Sequence, residues 1–250
     1  PGTYTSLQLH NNIIIYGRWD AEKPNEKKIF GRRLFNIPFL TPMTVQIFDG
    51  IVYAGGYKNF AIYELIEGDP VLVWNLDGIP TLDFGKVDED IYLANDHMGI
   101  HVFDVTNFRA PMEIGHVETY DTPKRICVYD NVLYIAAGRS GVLVYDISDP
   151  ERPLKIGKVY GVDLAIVWDV QIHNGLLYIL GARSSIKENV FMVVASPKNL
   201  SAFDEIPVIS TAKGPDKIGR IEFGNNFCAV SLGKDGIALM PLNTGHIYTS

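Results

Sequence analysis

Charged and polar side chains recur in the segments that precede several apolar runs of this sequence. Carboxylates, cations and an indole that meet in one place could bind a small polar ligand or a metal ion. Alternatively, these groups are solvated or pair with one another, Arg125 with Asp121 and Arg220 with Asp216. The candidate ligand-binding residues are Asp83, Asp121, Lys124, Arg125, Asp163, Trp168, Asp169, Asp216, Lys217 and Arg220.

Two histidines, His97 and His101, have the spacing that on a helix would place both imidazoles on one face, ready for zinc. Alignment of the repeats described below instead puts His97 in a turn and His101 within a strand, at the position of Leu143. We therefore expect His101 to pack between sheets, and we expect neither a metal site nor a cofactor. The sequence has no Cys/His cluster, no glycine-rich phosphate loop and no Gly-x-Ser-x-Gly motif. No catalytic residue is predicted, which favours a non-enzymatic protein without deciding the question.

The elements that must position these residues belong to a unit that repeats along the chain. Each unit contains an apolar run centred on a tyrosine or a similar apolar residue. The equivalent positions, separated by 39, 39, 42, 44 and 50 residues, are Ile14, Tyr53, Tyr92, Tyr134, Tyr178 and Cys228. This period is typical of the four-stranded blades of a β-propeller.

The apolar runs themselves favour strands over helices. Gly141–Asp146 and Gly99–Asp104 are short, rich in Val, Ile and aromatic residues, and bracketed by Gly, Asp and Pro. They are apolar at nearly every position, which indicates strands that are covered on both faces. We predict one all-β domain, a β-propeller of six blades with four antiparallel strands each. The predicted units are approximately residues 3–42, 43–79, 80–120, 121–161, 162–210 and 211–250.

A propeller would explain why the charged candidates could meet. The segments that enter the innermost strands would surround the mouth of the central channel, and the candidates lie in or beside those segments. The sequence therefore predicts a ring of polar groups at the channel mouth.

The repeats resemble a known family. The pentapeptides Val142–Asp146 and Ile100–Asp104 resemble the one that names the LVIVD-repeat propellers, and the segments Ile147–Pro150 and Pro153–Gly157 resemble that family's downstream signature. The resemblance implies the propeller fold and, because similar propellers occur mostly in prokaryotic and often exported or surface-associated proteins, such a location. It implies no active-site residue, since those propellers share no catalytic motif.

Two other propeller classes fit less well. The Trp-Asp dipeptide at residues 168–169 lies on the first strand of its unit instead of ending the third, which argues against a WD40 protein. The Gly55-Gly56 doublet is not repeated in the other units, which argues against a kelch protein.

Composition excludes several classes of protein. The chain of 250 residues has a formal net charge of −7 and a pI of about 5.3, so nucleic acid and anionic membranes would repel it. The longest apolar run, Val190–Ala195, is far too short to span a bilayer. Cys127 and Cys228 lie in separate strand-like runs, so we predict no disulfide.

Function is predicted only as a class. A stiff repeat framework with variable loops and no catalytic motif favours a scaffold that binds a protein or a component of the cell envelope. Trp74 or Trp19 could be the anchor of such an interface. The alternative is a small-ligand or metal-binding protein, or a hydrolase or lyase, with its site at the channel mouth. The chain begins at Pro1, as it would after removal of a leader or an upstream region, and a cytoplasmic location stays open.

Overall fold

The computed structural model describes residues 3–10, 13–19, 28–29, 42–66, 69–96, 99–158, 166–182, 190–196, 199–207, 220–224, 227–231 and 237–241. These residues form 22 β-strands and no α-helix. In chain order the strands are β1 (Thr3–His10), β2 (Ile13–Trp19), β3 (Lys28–Ile29), β4 (Pro42–Phe48), β5 (Ile51–Gly56), β6 (Asn59–Ile66), β7 (Asp69–Asp77), β8 (Thr81–Val87), β9 (Asp90–Asn95), β10 (Gly99–Asp104), β11 (Met112–Val117), β12 (Arg125–Tyr129), β13 (Val132–Ala136), β14 (Val142–Asp146), β15 (Leu154–Lys158), β16 (Ile166–His173), β17 (Leu176–Ala182), β18 (Val190–Ser196), β19 (Asn199–Pro207), β20 (Ile221–Phe223), β21 (Phe227–Ser231) and β22 (Ile237–Pro241).

The strands form six antiparallel sheets, numbered here 1 to 6, and within each sheet every strand pairs with its neighbours in the chain. Sheets 2 to 5 have four strands each, namely β4–β7, β8–β11, β12–β15 and β16–β19. Sheets 1 and 6, β1–β3 and β20–β22, have three strands each within the described residues. The predicted all-β fold of four-stranded antiparallel units is therefore confirmed for the middle of the chain. The count of six four-stranded blades stays a prediction, because sheets 1 and 6 have three strands each within the described residues.

The turns between the first and second strands explain the polar dipeptides found there. Asp49 and Gly50 have φ angles of 49° and 80°, and Asp130 and Asn131 have φ angles of 50° and 56°. Two consecutive residues with positive φ form the tight turn that suits the twist of an antiparallel hairpin, and Asp, Asn and Gly tolerate this conformation best.

The Asp that ends each LVIVD-like pentapeptide closes the next turn. Oδ1 of Asp104 accepts a hydrogen bond from the backbone N–H of Thr106 at 2.7 Å, and Oδ1 of Asp146 accepts one from Ser148 at 2.9 Å. A short carboxylate that binds the backbone two residues further on replaces a strand pairing with a turn. The repeated Asp is thus explained by local structure.

The apolar runs are covered on both faces, as predicted. In sheet 3, Tyr92 and Ile100 pack with Leu133 of sheet 4, whereas Leu93 packs with Phe60 of sheet 2. Adjacent residues of one strand point to opposite faces, so a strand between two sheets must be apolar at successive positions. The hydrophobic core is therefore divided into layers between neighbouring sheets.

The first strands of successive sheets lie side by side. Contacts join β1 to β4, β4 to β8, β8 to β12, β12 to β16 and β16 to β20. We call the strands β4, β8, β12, β16 and β20, with Arg220 directly before β20, the hub. Because chain direction alternates, the loops that enter these strands and the turns between second and third strands lie at the same end of the sheets. We call this end the axial face and define it by residues 57–58, 118–124 and 137–141.

Candidate functional site

The structure brings four of the predicted residues together in the hub. Asp83 lies on β8, Arg125 begins β12, Asp169 lies on β16, and Arg220 directly precedes β20. Asp83 and Asp169 are buried, and the two arginines are partly buried. Three other predicted residues, Asp163, Asp216 and Lys217, lie outside the described residues, as does His97.

β-Bulges direct side chains of the first strands toward the hub. The register of β4 shifts between Pro42 and Thr44, that of β8 between Thr81 and Asp83, and that of β16 between Val167 and Asp169. A bulge inserts an extra residue and changes the direction in which the next side chains point. The residue after the bulge is Thr44, Asp83 or Asp169, and each lies nine residues before its repeat's tyrosine marker.

The carboxylate of Asp83 connects four sheets. Its Oδ1 accepts hydrogen bonds from Nη2 of Arg220 at 3.0 Å and from Oγ1 of Thr44 at 3.2 Å. Its Oδ2 accepts one from the backbone N–H of Ile126 at 3.1 Å. These donors belong to sheets 6, 2 and 4, and Nη2 of Arg220 also contacts Oγ1 of Thr44 at 3.3 Å. Asp83 thus neutralises a guanidinium and satisfies a buried backbone donor at once.

Asp169 repeats the same contact in sheet 5. Its Oδ2 accepts a hydrogen bond from the backbone N–H of Ile221 in sheet 6 at 2.7 Å, and its Oδ1 accepts one from Val170 at 2.8 Å. As with Asp83, an aspartate of one first strand binds a backbone N–H of the next first strand. This recurrent bond ties neighbouring sheets together at the hub.

Arg125 lies between the two aspartates and binds carbonyl oxygens. Its Nη1 donates to the backbone oxygens of Leu82 and Lys124, each at 2.9 Å. Burial, followed by the nearby charge of Arg220, lowers the pKa of the Arg125 guanidinium. The suggested pairing of Arg125 with Asp121 is wrong, because the carboxylate of Asp121 binds backbone N–H groups instead. Arg220, for which the sequence suggested Asp216, pairs with Asp83.

Burial also raises the pKa values of two acids in the hub. It raises the pKa of Asp169 to about 7, although Arg125, the Ile221 N–H and Arg220 all favour the ionised form. It also raises the pKa of Glu222 on β20. Sequence analysis missed Thr44 and Glu222. The constant spacing from the tyrosine markers would have found Thr44, whereas only packing shows that Glu222 faces the hub charges.

The raised pKa of Asp169 predicts a stability that falls as pH rises. Between about pH 4 and pH 7 the folded protein retains a proton that an unfolded aspartate has lost, so ionisation favours unfolding in this window. We expect the free energy of unfolding to decrease by roughly 2 kcal/mol from pH 5 to pH 7 on account of this residue. Urea unfolding at several pH values measures this slope.

The variant Asp169→Asn provides the control for this slope. It retains an acceptor for Ile221 but does not titrate, so the decrease between pH 5 and pH 7 should become shallower whatever the variant's absolute stability. The part of this decrease that is due to Glu222, whose raised pKa acts in the same direction, should persist in the variant. An unchanged slope in the variant would contradict the assignment.

Asp121 and Lys124 lie outside the hub, in the loop of residues 118–124 on the axial face. Asp121 accepts hydrogen bonds from the backbone N–H groups of Thr122 at 2.9 Å and Arg139 at 2.7 Å. Oγ1 of Thr122 donates to Oδ1 of Asp96 at 3.2 Å. The backbone N–H of Lys124 donates to a carbonyl oxygen of β13 at 2.8 Å. These bonds therefore fix the part of the loop that follows Tyr120 and leads into β12.

Tyr120 projects from the same loop and is fully exposed, with a relative accessibility of 102%. Tyr57 on the axial face is also exposed. Sequence analysis singled out neither, because exposure of a loop tyrosine has no signature in sequence.

The tryptophans proposed as anchors are placed differently. Trp74 is half-buried and packs edge-on against Phe60 and Phe103 at ring-centroid distances of 6.5 and 5.9 Å. Trp74 is therefore only partly exposed, and its role as an anchor stays a prediction. The side chain of Trp19 lies outside the described part of the structure. Trp168 is buried on β16, the first strand of its sheet, as its position in the repeat predicted.

His101 is buried within sheet 3. Its Nδ1 lies 2.7 Å from Oε1 of Glu113, and its ring is 4.8 Å from that of His116 on the neighbouring strand β11. Among the described residues, no group of three or more His, Cys, Asp or Glu side chains is arranged to hold a metal ion. The described chain also contains no helix with the length and apolar character needed to cross a membrane.

Comparison with known proteins identifies the fold. No protein-family model matches the sequence, and no curated protein matches it. Among solved structures, the WD40 β-propeller domain of Doa1 is 13% identical, with a TM-score of 0.69 over 96% of this chain and 79% of that one. The computationally designed protein Ika8 is 12% identical, with a TM-score of 0.65 over 95% of this chain and 70% of its own. A structural-genomics protein of unknown function from Bacteroides thetaiotaomicron is 12% identical, with a TM-score of 0.64 over 96% and 69%. At these identities the likeness concerns the fold alone, and it establishes that the chain has a β-propeller fold.

Proposed function

We propose that this protein is a non-catalytic scaffold that binds a partner protein through its axial face, with Tyr120 as the central contact. The observation that supports this most directly is a fully exposed tyrosine directly before a loop segment that hydrogen bonds hold at Asp121 and Lys124. A tyrosine offers a large apolar surface and a polar hydroxyl, and it has few torsions to immobilise. A loop that is already fixed loses little conformational entropy when a partner binds.

The disposition of the hub charges supports a scaffold over a site at the channel mouth. Asp83 and Asp169 each accept hydrogen bonds from backbone N–H groups, and Asp83 also neutralises Arg220. Their carboxylate oxygens connect the first strands of neighbouring sheets. A ligand that bound these oxygens would therefore have to break the hydrogen bonds between the sheets. The rigid sheets would then serve to present the axial loops.

The cell envelope is the proposed location of this scaffold. The support is the resemblance of Val142–Asp146 and the following turn to the LVIVD-repeat propellers, which implies exported or surface-associated proteins. Cell fractionation of the tagged protein tests this location. Recovery in the cytoplasmic fraction alone would refute it.

Replacing Tyr120 with Ala is expected to weaken partner binding strongly while leaving the melting temperature unchanged. Tyr120 is fully exposed, so the substitution removes interface area without creating a cavity in the core. A photo-crosslinking residue at position 57 identifies the partner in an extract of the producing cells. Binding of that purified partner to the wild-type and variant chains is then measured by calorimetry, with an expected loss of about 2 kcal/mol or more.

Tyr129 provides the matched control, because it is also exposed but lies at the turn between β12 and β13, at the opposite end of the sheets. Tyr129→Ala should bind as the wild type does. Equal loss in both variants would refute the axial face as the interface. A chain that crosslinks to no protein, but melts at a higher temperature with a small molecule, would refute the scaffold itself.

A further inference from the structure

The outermost strands of sheets 3 and 4 are open edges with closely related sequences. β11 and β15 each pair on one side only within the described residues. Met112 and Leu154 occupy equivalent positions, since each lies opposite the Asp that ends the preceding strand. Met112, Leu154 and Ile156 are 63%, 65% and 54% exposed. Unpaired edges with exposed apolar side chains can pair with another strand.

The two edges differ in the charge between their apolar residues. Glu113 lies between Met112 and Ile114 on β11, and Lys155 occupies the equivalent position on β15. Both charged residues are exposed. The Glu113 carboxylate is held against the sheet by its contact with Nδ1 of His101 at 2.7 Å. The edges thus share an exposed apolar residue at the same position and have charges of opposite sign, although Ile114 packs against the core whereas Ile156 is exposed.

We propose that β11 of one copy of this chain pairs antiparallel with β15 of a second copy. In one register of such a pair, Met112 lies opposite Ile156, Glu113 opposite Lys155 and Ile114 opposite Leu154. Directly opposed side chains of antiparallel strands are in contact, so this register joins the exposed Met112 and Ile156 in an apolar pair and Glu113 and Lys155 in an ion pair. The contact is an interaction surface separate from the axial face.

The same charges select against pairing of like edges. Two β11 edges in the equivalent register would place Glu113 opposite Glu113, and two β15 edges would place Lys155 opposite Lys155. Like charges directly opposite one another destabilise a strand pair. Pairing of β11 with β15 is favoured over pairing of like edges because Glu113 and Lys155 have opposite charges.

The contact joins different surfaces of the two copies, and every copy has both edges. A head-to-tail contact of this kind continues from copy to copy until a ring closes or a filament forms. The assembly should therefore grow beyond a dimer as concentration rises.

Exchange of the two charges tests the pairing. Sedimentation velocity of the whole chain over a range of concentrations should show assemblies larger than a dimer. Lys155→Glu and Glu113→Lys, each alone, should weaken assembly by about tenfold or more in apparent Kd, because each opposes like charges. The double variant, Lys155→Glu with Glu113→Lys, restores an opposed pair and should assemble as the wild type does.

A matched control separates this contact from a general effect of charge. Lys58→Glu makes the same change at an exposed position on the axial face and should assemble as the wild type does. A chain that is monomeric at all concentrations would overturn the proposal, as would a double variant no better than the single ones. A dimer that is the largest species would also overturn it. Near-ultraviolet circular dichroism verifies that each variant is folded.

Discussion

Replacing Asp83 with Ala is expected to lower the free energy of unfolding by about 3 to 5 kcal/mol, because the change removes one partner of a buried ion pair. The carboxylate binds Nη2 of Arg220, Oγ1 of Thr44 and the backbone N–H of Ile126. The variant therefore loses the counter-charge of Arg220 and leaves a buried N–H group without its acceptor, and both effects favour unfolding. Urea denaturation with a constant m-value measures the loss.

Two comparisons show whether the loss comes from these contacts. Glu118 is an exposed acid on the axial face, so Glu118→Ala should change the free energy of unfolding by less than about 0.5 kcal/mol. In a double-mutant cycle with Arg220→Ala, the double variant should be more stable than the sum of the single losses predicts. Strict additivity would mean that the two side chains do not stabilise the hub as a pair.

Replacing Gly99 with Ala is expected to cost about 3 kcal/mol or more, from backbone strain together with overpacking. Gly99 has a φ angle of 87°, a conformation that L-residues rarely adopt. A methyl group at this position would overlap the carbonyl oxygen of Val117 on β11. Because the obstacle is backbone, it cannot move without disturbing the pairing of β10 with β11. Thermal and urea unfolding measure the effect.

The neighbouring repeat supplies a matched control at Gly141, which occupies the same place before its third strand. Its φ angle is 79°, but a methyl group there would meet only the end of the Lys158 side chain, Cε at 3.0 Å and Nζ at 3.6 Å. The end of a lysine side chain can move aside, so Gly141→Ala should cost about 1 kcal/mol from backbone strain alone. Equal losses at the two positions would contradict the role assigned to the Val117 carbonyl.

These two predictions concern different ways in which the sheets are joined. Asp83 acts at the hub, where polar side chains cross from one first strand to another. Gly99 acts within one sheet, where a third strand must approach a fourth closely. The hub is polar although its carboxylates and guanidiniums are largely removed from water, and hydrogen bonds to Asp83, Asp169, Arg125 and Arg220 stabilise these groups there. Such a framework holds the axial loops in fixed positions, which a binding scaffold requires.

The sequence alone determined the strands and their order. The spacing of Tyr53, Tyr92 and Tyr134 predicted the repeat, and the doubly apolar runs predicted strands covered on both faces. These features are local, since a turn depends on residues such as Asp49 and Gly50 and the direction of a side chain depends on alternation along one strand. Local rules therefore sufficed for the repeat, the turns and the all-β fold.

Only the tertiary structure decided which of the predicted polar residues meet. Asp83 and Arg220 are 137 residues apart in sequence, and they belong to sheets 3 and 6. Composition and spacing placed both near the channel but could not pair them, since the pairing depends on how the first strands are arranged about the hub. Composition and spacing also could not predict that the carboxylate of Asp121 binds the turn of the next hairpin or that Tyr120 is exposed. Contacts between distant parts of the chain depend on the packing of whole sheets, whereas strands and turns follow from neighbours in sequence.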